Sequence, residues 1–161
     1  MSSKKNIPEL RFPDFDYEWD IKRIKEITKI KAGGTPSTLK KEFWNGSIPW
    51  MNSGELNLKR IYDVENRITE LGLNKSSARL VPKESILIGL AGQGKTRGTA
   101  AINYISLSIN QSIAAIYPND KVFSSEFLYQ NIDSRYAELR SLSLGGGGRG
   151  GLNLSIIGDF S

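Results

Sequence analysis

Short apolar runs, separated by polar and glycine-rich segments, set the pattern of this chain. Three runs rich in β-branched residues lie close together, at residues 86–88, 99–105 and 112–116, and their composition predicts three strands. The first two flank the glycine-rich, basic residues 89–98, which predicts a strand–loop–strand unit. We expect these three strands to form the sheet on which the rest of the domain packs.

The residues before this unit predict one helix and two more strands. Four apolar residues of the segment 19–28 recur at helical spacing: Trp19, Ile21, Ile24 and Ile27. This segment is therefore predicted to be an amphipathic helix, and residues 29–32 are predicted to be a strand. Residues 48–51 predict a short strand at a sheet edge, because Pro49 cannot donate to a strand ladder. Residues 1–18 contain two prolines and predict an extended lead-in.

Short elements also alternate through the rest of the chain. The predictions are a strand or loop at residues 66–69 and helices at residues 71–80, 124–131 and 133–142. Ser124 or Ser125 is the expected cap of the first of the last two helices, and Asp133 that of the second. The expected core residues there are Phe127, Leu128, Tyr129, Ile132, Tyr136 and Leu139. Because strands and helices alternate without a regular βαβ rhythm, we predict an α+β domain.

The composition indicates a globular and basic protein. With 161 residues, 39% of them hydrophobic, the chain is long enough for one domain with a buried core. Its 22 basic and 17 acidic residues give a net charge of +5. Seven of the basic residues lie in residues 22–41, beside a single acid, Glu26. Such a balance attracts nucleic acid or acidic surfaces.

The chain contains no cysteine and no histidine. Their absence excludes disulfides, thiol catalysis and a serine–histidine mechanism, and it leaves only carboxylates for a zinc site, which is unusual. No apolar segment approaches the ~20 residues of a membrane span. No apolar stretch follows residues 1–6, as a signal peptide would require. We therefore expect a cytoplasmic location without membrane contact.

Residues 89–96 match the nucleotide-binding pattern G-x-x-x-x-G-K-[ST], and a predicted strand precedes them. A phosphate-binding loop also needs a helix directly after the lysine, so that backbone N–H groups face the phosphates. Gly98 and the β-favouring residues Thr99 and Ile102 predict a strand at that position instead. A small P-loop nucleotide-binding enzyme is thus the alternative, and the local pattern favours a flexible loop between two strands.

Two glycine-rich loops carry side chains suited to DNA. The first displays Gln93, Lys95, Thr96 and Arg97. Arginine and lysine can contact phosphate or guanine, and glutamine can pair with adenine. An ordinary exposed loop without a ligand has the same composition. In residues 145–151, six glycines surround Arg149, which predicts either a flexible loop or one that orders on a phosphate backbone.

Several stretches together point to a known family. The most specific is the block at residues 33–56, GGTPSTLKKEFWNGSIPWMNSGEL, and the others are residues 19–34, 81–116, 124–131 and 152–155. In this order they resemble the target-recognition domain of the specificity (S) subunit of type I restriction-modification systems. The resemblance covers most of residues 7–161, and it makes the nucleotide-binding pattern a coincidence.

The resemblance implies a single compact domain with a curved mixed β-sheet flanked by short helices. It also implies recognition of one half of a bipartite sequence on duplex DNA, by a subunit without a catalytic centre. Partner subunits would perform adenine methylation and cleavage, so S-adenosylmethionine, ATP and Mg would belong to them and no cofactor to this chain. Residues 19–161 would form the recognition domain, and the family's spacer helix would be absent after Ser161.

Within that family, the sequence between the framework blocks varies with the DNA target, so our candidate contacts rest on chemistry alone. Candidate phosphate contacts are Lys31, Lys40, Lys41 and Arg149. Candidate base readers are Asn52, Glu55, Gln93, Lys95 and Arg97. Thr35 and Thr96 complete the set of expected DNA contacts, whereas Asn110 and Gln111 are expected to satisfy the backbone.

Overall fold

Two mixed β-sheets and five short α-helices make up the computed structural model of the chain, which describes residues 7–92, 94–144 and 151–161. The strands are β1 (Ile30–Ala32), β2 (Trp44–Met51), β3 (Arg60–Ile61), β4 (Arg67–Ile68), β5 (Leu80–Val81), β6 (Ile86–Gly89), β7 (Ala100–Asn103), β8 (Leu107–Ile109) and β9 (Ile113–Ile116). The larger sheet has the order β1-β9-β6-β7-β3, and the smaller has the order β4-β2-β8-β5.

The helices are short and lie mainly in the second half of the chain. They are α1 (Ile24–Ile27), α2 (Glu70–Asn74), α3 (Ser125–Ser134), α4 (Tyr136–Ser141) and α5 (Leu154–Asp159). Three 3-10 helices span Lys41–Phe43, Ser53–Leu58 and Leu142–Leu144 within the described residues. The predicted α+β class is confirmed, although the strands divide between two sheets where a single sheet was expected.

Strands β6, β7 and β9 form the centre of the larger sheet, as the apolar runs predict. Strand β6 pairs antiparallel with β7 through Ile88 and Ala100, and with β9 through Ile88 and Ala114. Every residue of these three strands is buried. Burial on both faces explains why their sequences are almost continuously apolar and do not alternate with polar residues.

Core side chains cover both faces of this sheet. Successive residues of a strand point to opposite faces, so Ile86 and Ile88 share one face and Leu87 lies on the other. The first face packs against residues from the helices, including Tyr129, Ile132, Leu139 and Ile157. The second face packs against Met51, Leu56, Leu107 and Ile109. Helices α1, α3, α4 and α5 and the smaller sheet are therefore held on opposite sides of the central strands.

Two predictions about single elements are wrong. Pro49 does not mark a sheet edge, since β2 lies between β4 and β8. The proline is tolerated because pairing with β8 begins at Trp50, one residue after the position that lacks an N–H. The helix predicted over residues 19–28 is limited to α1: of the expected apolar stripe, Ile24 is buried in the core, whereas Trp19 and Ile21 are 53% and 75% exposed.

The start of the helical region also differs in part from the prediction. Ser124 caps α3, where its Oγ accepts the Phe127 N–H at 3.4 Å. Asp133 does not cap α4, because α3 continues through it to Ser134. Phe127 is half exposed and outside the core, since its ring stands edge-on against Trp19, with 5.5 Å between ring centroids.

A pair of glycines lies where backbones approach too closely for a side chain. The Gly33 N–H donates to the Ile113 oxygen at 3.2 Å, and the Gly34 N–H donates to the Ile109 oxygen at 2.9 Å. A Cβ atom added to Gly33 would lie 2.0 Å from the Ile109 oxygen. Glycine is therefore required at this position, because no other residue permits this approach.

Replacing Gly33 by alanine should destabilise the fold. The added methyl would have to displace the backbone of Ile109, and we expect a loss of ~1–3 kcal/mol in the free energy of unfolding, the usual cost of overpacking. Urea denaturation of both proteins measures this loss. Gly94→Ala is the matched control, because its Cβ would meet nothing within 4 Å. Equal losses in the two variants would contradict the prediction.

A hydrogen-bonded network at the edge of the larger sheet joins β3 to α3. Arg60 Nη2 donates to Glu126 Oε1 at 2.5 Å, and Arg60 Nη1 donates to Glu126 Oε2 at 2.9 Å. Tyr104 and Gln130 donate to the same carboxylate at 3.0 and 2.8 Å. These hydrogen bonds, that from Arg60 first, lower the pKa of Glu126 from 4.5 to about 2.

Glu126→Gln should therefore reduce stability at neutral pH and have little effect in acid. As pH falls from 4.5 to about 2, Glu126 takes up a proton in the unfolded chain but not in the folded one. Its contribution is thus complete above this window and lost within it. We expect a deficit on the order of 1 kcal/mol at neutral pH, the upper range for a solvent-screened ion pair. Urea unfolding across the pH range measures it, and a deficit that stays constant would contradict the prediction.

Candidate nucleic-acid interface

The strand register brings several connections together at one end of the larger sheet. Gly89 at the end of β6 pairs with Ile113 at the start of β9, and Ala32 at the end of β1 pairs with Ala114. On the other side of β7, the Ile102 N–H donates to the Lys59 oxygen at 2.9 Å. We call this end, formed by residues 33–35, 59, 90–92, 94–98 and 110–112, the loop end.

An open cleft of about 570 Å³ lies at the loop end. Its lining residues are Asn57, Lys59, Gly94, Lys95, Thr99, Tyr136 and Arg140. The cleft has three walls. They are formed by the connection between β6 and β7, by the 3-10 helix Ser53–Leu58 with Lys59, and by α4. We call it the basic cleft, because it contains three cationic side chains and its lining residues include no acid.

Within the connection from β6 to β7, residues 95–99 form a turn held by backbone and side-chain hydrogen bonds. The Gly98 N–H donates to the Gly89 oxygen at 2.9 Å, and Thr99 Oγ1 donates to the Lys95 oxygen at 2.6 Å. Gly98 has a φ of +83°, which favours glycine. Lys95 is exposed, whereas Thr96 and Arg97 are half-buried. Of these three sequence-predicted contacts, only Lys95 lines the basic cleft, and Thr96 and Arg97 follow it in the same connection.

This geometry removes the support for a nucleotide-binding loop at residues 89–96. A phosphate-binding loop requires the N-terminus of a helix directly after the lysine. Here Arg97 and Gly98 form a turn, and strand β7 begins at Ala100. The backbone N–H groups of Gly98 and Thr99 already bond to Gly89 and Thr96. They are not arranged around a phosphate.

The predicted contacts between residues 31 and 41 lie in β1 and in the connection that leaves it. Thr35 is at the loop end, where its Oγ1 donates to Gln111 Oε1 at 2.5 Å. Lys31 is exposed within β1, and Lys41 is exposed at the start of the 3-10 helix Lys41–Phe43. The Lys40 ammonium lies 5.0 Å from the centre of the Phe43 ring. Only Thr35 of this group lies within the loop end.

Asn52 and Glu55 serve the local backbone in this structure. Asn52 Oδ1 accepts the Gly54 N–H at 2.9 Å, and Glu55 Oε2 accepts the Asn52 N–H at 3.0 Å. This reciprocal arrangement is a capping box at the start of the 3-10 helix. Glu55 Oε1 also accepts the Glu65 N–H at 3.3 Å. Both side chains are half-buried, and their role as base readers stays a prediction.

Two further predicted contacts, Gln93 and Arg149, lie outside the described residues. Near Arg149 in the sequence, the Leu152 N–H donates to the Leu90 oxygen at 2.9 Å, beside the loop end. Asn110 has the structural role expected of it, since its Oδ1 accepts the Ser112 N–H at 3.1 Å.

Sequence reasoning did not predict Lys59, Tyr136 or Arg140 as residues of the basic cleft. Lys59 Nζ forms an ion pair with Asp133 Oδ1 at 2.7 Å. Tyr136 was expected in the core, but it is half-buried and its hydroxyl donates to the Lys95 oxygen at 3.1 Å. The only available signal was the i, i+4 spacing of Tyr136 and Arg140, which places both on one face of a helix.

Comparison with known proteins identifies one family. The model described as the type I restriction modification DNA specificity domain matches residues 17–161. The specificity subunit of the type I restriction enzyme MjaIX from Methanocaldococcus jannaschii is 38% identical over 120 residues, which is 70% of this chain and 26% of that protein. The EcoR124I/EcoR124II specificity subunit from Escherichia coli is 34% identical over 133 residues, 81% of this chain and 32% of that protein.

Solved structures share the fold at low sequence identity. The type I restriction-modification S subunit from M. genitalium has a TM-score of 0.61 at 16% identity, over 96% of this chain and 36% of that one. A chain from a structure of a type I R-M system has a TM-score of 0.62 at 15% identity, over 85% of this chain and 31% of that one. The chain spans about a quarter to a third of the length of the curated relatives.

Neither ATP nor GTP should bind at Lys95. The turn that follows this lysine offers no helix N-terminus to a phosphate, so equilibrium dialysis at millimolar nucleotide should show no retention by the wild-type chain or by Lys95→Ala. Retention by the wild type that is lost in Lys95→Ala would restore the nucleotide-binding interpretation.

Proposed function

Because the chain belongs to the family of type I restriction modification DNA specificity domains, we propose that it recognises duplex DNA by sequence. In this role it reads one half of a bipartite target for a type I restriction-modification complex. The observation that carries the proposal is the basic cleft, which Lys59, Lys95 and Arg140 line together. The names of the curated relatives, specificity subunits of type I restriction enzymes, agree with it.

The contacts divide by position and chemistry. Lys95 lines the basic cleft and contacts the DNA there, and Gln93, Thr96 and Arg97 of the same connection contact it beside Lys95. Lys31, Lys40, Lys41 and Arg149 contact phosphates, which orient the duplex without specifying its sequence. Thr35 contributes from the loop end. Asn52 and Glu55 reach a base only by giving up part of the capping box.

The rest of the reaction belongs to partner subunits. A modification subunit methylates adenine with S-adenosylmethionine, and through it a restriction subunit cleaves DNA with ATP and Mg, so this chain needs no cofactor and is not an enzyme. Within the described residues, no group of three or more acidic side chains could hold a metal ion. Across the same ranges, none of the helices is long and apolar enough to cross a bilayer. The complex acts on DNA in the cytoplasm.

Lys95→Ala should weaken duplex binding and reduce its dependence on salt. Each phosphate that a cation neutralises contributes about −0.9 to the slope of log K against log salt concentration. We therefore expect the slope of the variant to be smaller in magnitude by about 1. Fluorescence anisotropy with a labelled duplex pool of random sequence, repeated at several salt concentrations, measures both quantities.

Lys83→Ala is the matched control for this experiment. Lys83 is exposed and precedes β6 at the end of the sheet opposite the loop end, so its loss should leave the slope unchanged. Equal slopes for Lys95→Ala and the wild type would remove Lys95 from the interface. Absent or salt-insensitive duplex binding by the folded wild-type chain would count against DNA recognition as a whole.

A further inference from the structure

Two side chains of α4 hold the backbone of the β6–β7 connection. The Tyr136 hydroxyl donates to the Lys95 oxygen at 3.1 Å. Arg140 Nη1 donates to the Arg97 oxygen at 2.8 Å and to the Tyr136 hydroxyl at 3.1 Å. The tyrosine hydroxyl thus accepts one hydrogen bond and donates another, which is its full capacity as a donor. The result is a chain of hydrogen bonds from the helix to two carbonyl groups of the connection.

The helix that provides these groups is itself fixed. Leu139, which lies between Tyr136 and Arg140 in the sequence, is fully buried in the core beside the larger sheet. Tyr136 and Arg140 are four residues apart, so both project from one face of α4. A Cβ atom on Gly98 would lie 3.4 Å from the Cβ of Arg140, which places the turn directly against the helix.

We propose that Tyr136 and Arg140 are positioning residues, which pre-order residues 94–98 for DNA. This inference rests on the proposed function. We call the hydrogen bonds from Tyr136 and Arg140 to the carbonyl groups of residues 95 and 97 the clamp. Without the clamp, this connection, which contains Gly94 and Gly98, would lose backbone entropy when it binds DNA. Fixing it beforehand removes that cost from the binding step. The clamp uses carbonyl groups only, and the exposed Lys95 side chain stays at the surface of the basic cleft.

A positioning role differs measurably from a direct phosphate contact. Tyr136→Phe removes the hydroxyl but keeps the ring and the net charge. Arg140→Lys keeps the positive charge but shortens the side chain and removes Nη1, the atom that donates to both acceptors. A phosphate contact by Arg140 would survive the change to lysine in large part, whereas a clamp would not. Tyr62→Phe is the control, because Tyr62 is exposed and follows β3 at the opposite end of the sheet.

The first measurement is amide hydrogen exchange of the chain without DNA. In Tyr136→Phe and Arg140→Lys, the amides of Gly98 and Thr99 should exchange faster than in the wild type, because both lie in the turn that the clamp holds. The amides of β6 and β9 should keep their protection. Unchanged exchange of the turn in both variants would overturn the proposal.

The second measurement is duplex binding across a salt series. Each variant should bind about 5-fold more weakly, the effect of one hydrogen bond, and Tyr136→Phe should keep the wild-type salt slope. The double variant should lose less than the product of the single losses, since both residues act through one unit. Wild-type affinity in both variants, or a reduced slope in Tyr136→Phe, overturns the proposal. Failure of the wild-type chain to bind DNA would instead overturn the proposed function.

Discussion

Burial of the larger sheet on both faces is the constraint on which the rest of the molecule depends. Helices cover one face of β6, β7 and β9, and residues around β2 and β8 cover the other. A polar side chain placed on either face would lose its hydrogen bonds to water without gaining a partner in the protein, which would lower the free energy of unfolding. Polar side chains that could contact a ligand are therefore confined to the connections at the ends of the strands. The strand register determines which connections are neighbours. It places the connections that follow β1 and β6 beside the connection that precedes β9.

Close backbone contact fixes one of these connections to both sheets. Gly33 bonds to Ile113 in β9 of the larger sheet, and Gly34 bonds to Ile109 in β8 of the smaller sheet. The Trp50 indole N–H donates to the Gly34 oxygen at 3.1 Å. The chain that leaves β1 is thus anchored before it reaches the surface, and the basic residues that follow start from a defined point.

The strand–loop–strand unit is predictable because strand preference is a local property of residues such as those at 86–88. The basic cleft is not predictable from the sequence, because Tyr136 and Arg140 donate to carbonyl groups 41 and 43 residues away. Every residue has a backbone carbonyl group, so the sequence does not indicate which ones accept these hydrogen bonds. Asn52 and Glu55 present a different difficulty. An asparagine and a glutamate three residues apart suit both a base-reading surface and a capping box, and only the coordinates reveal the hydrogen bonds of the cap.

Holding a connection by its carbonyl groups affects how such a domain can evolve. Every amino acid supplies the same carbonyl group, so the hydrogen bonds from α4 to residues 95 and 97 do not depend on which side chains stand there. The capping box, by contrast, restricts two positions to particular residue types. Point mutations at residues 95 and 97 can therefore change the side chains of the connection while these two hydrogen bonds are kept. A scaffold of this kind can acquire new targets without altering its core.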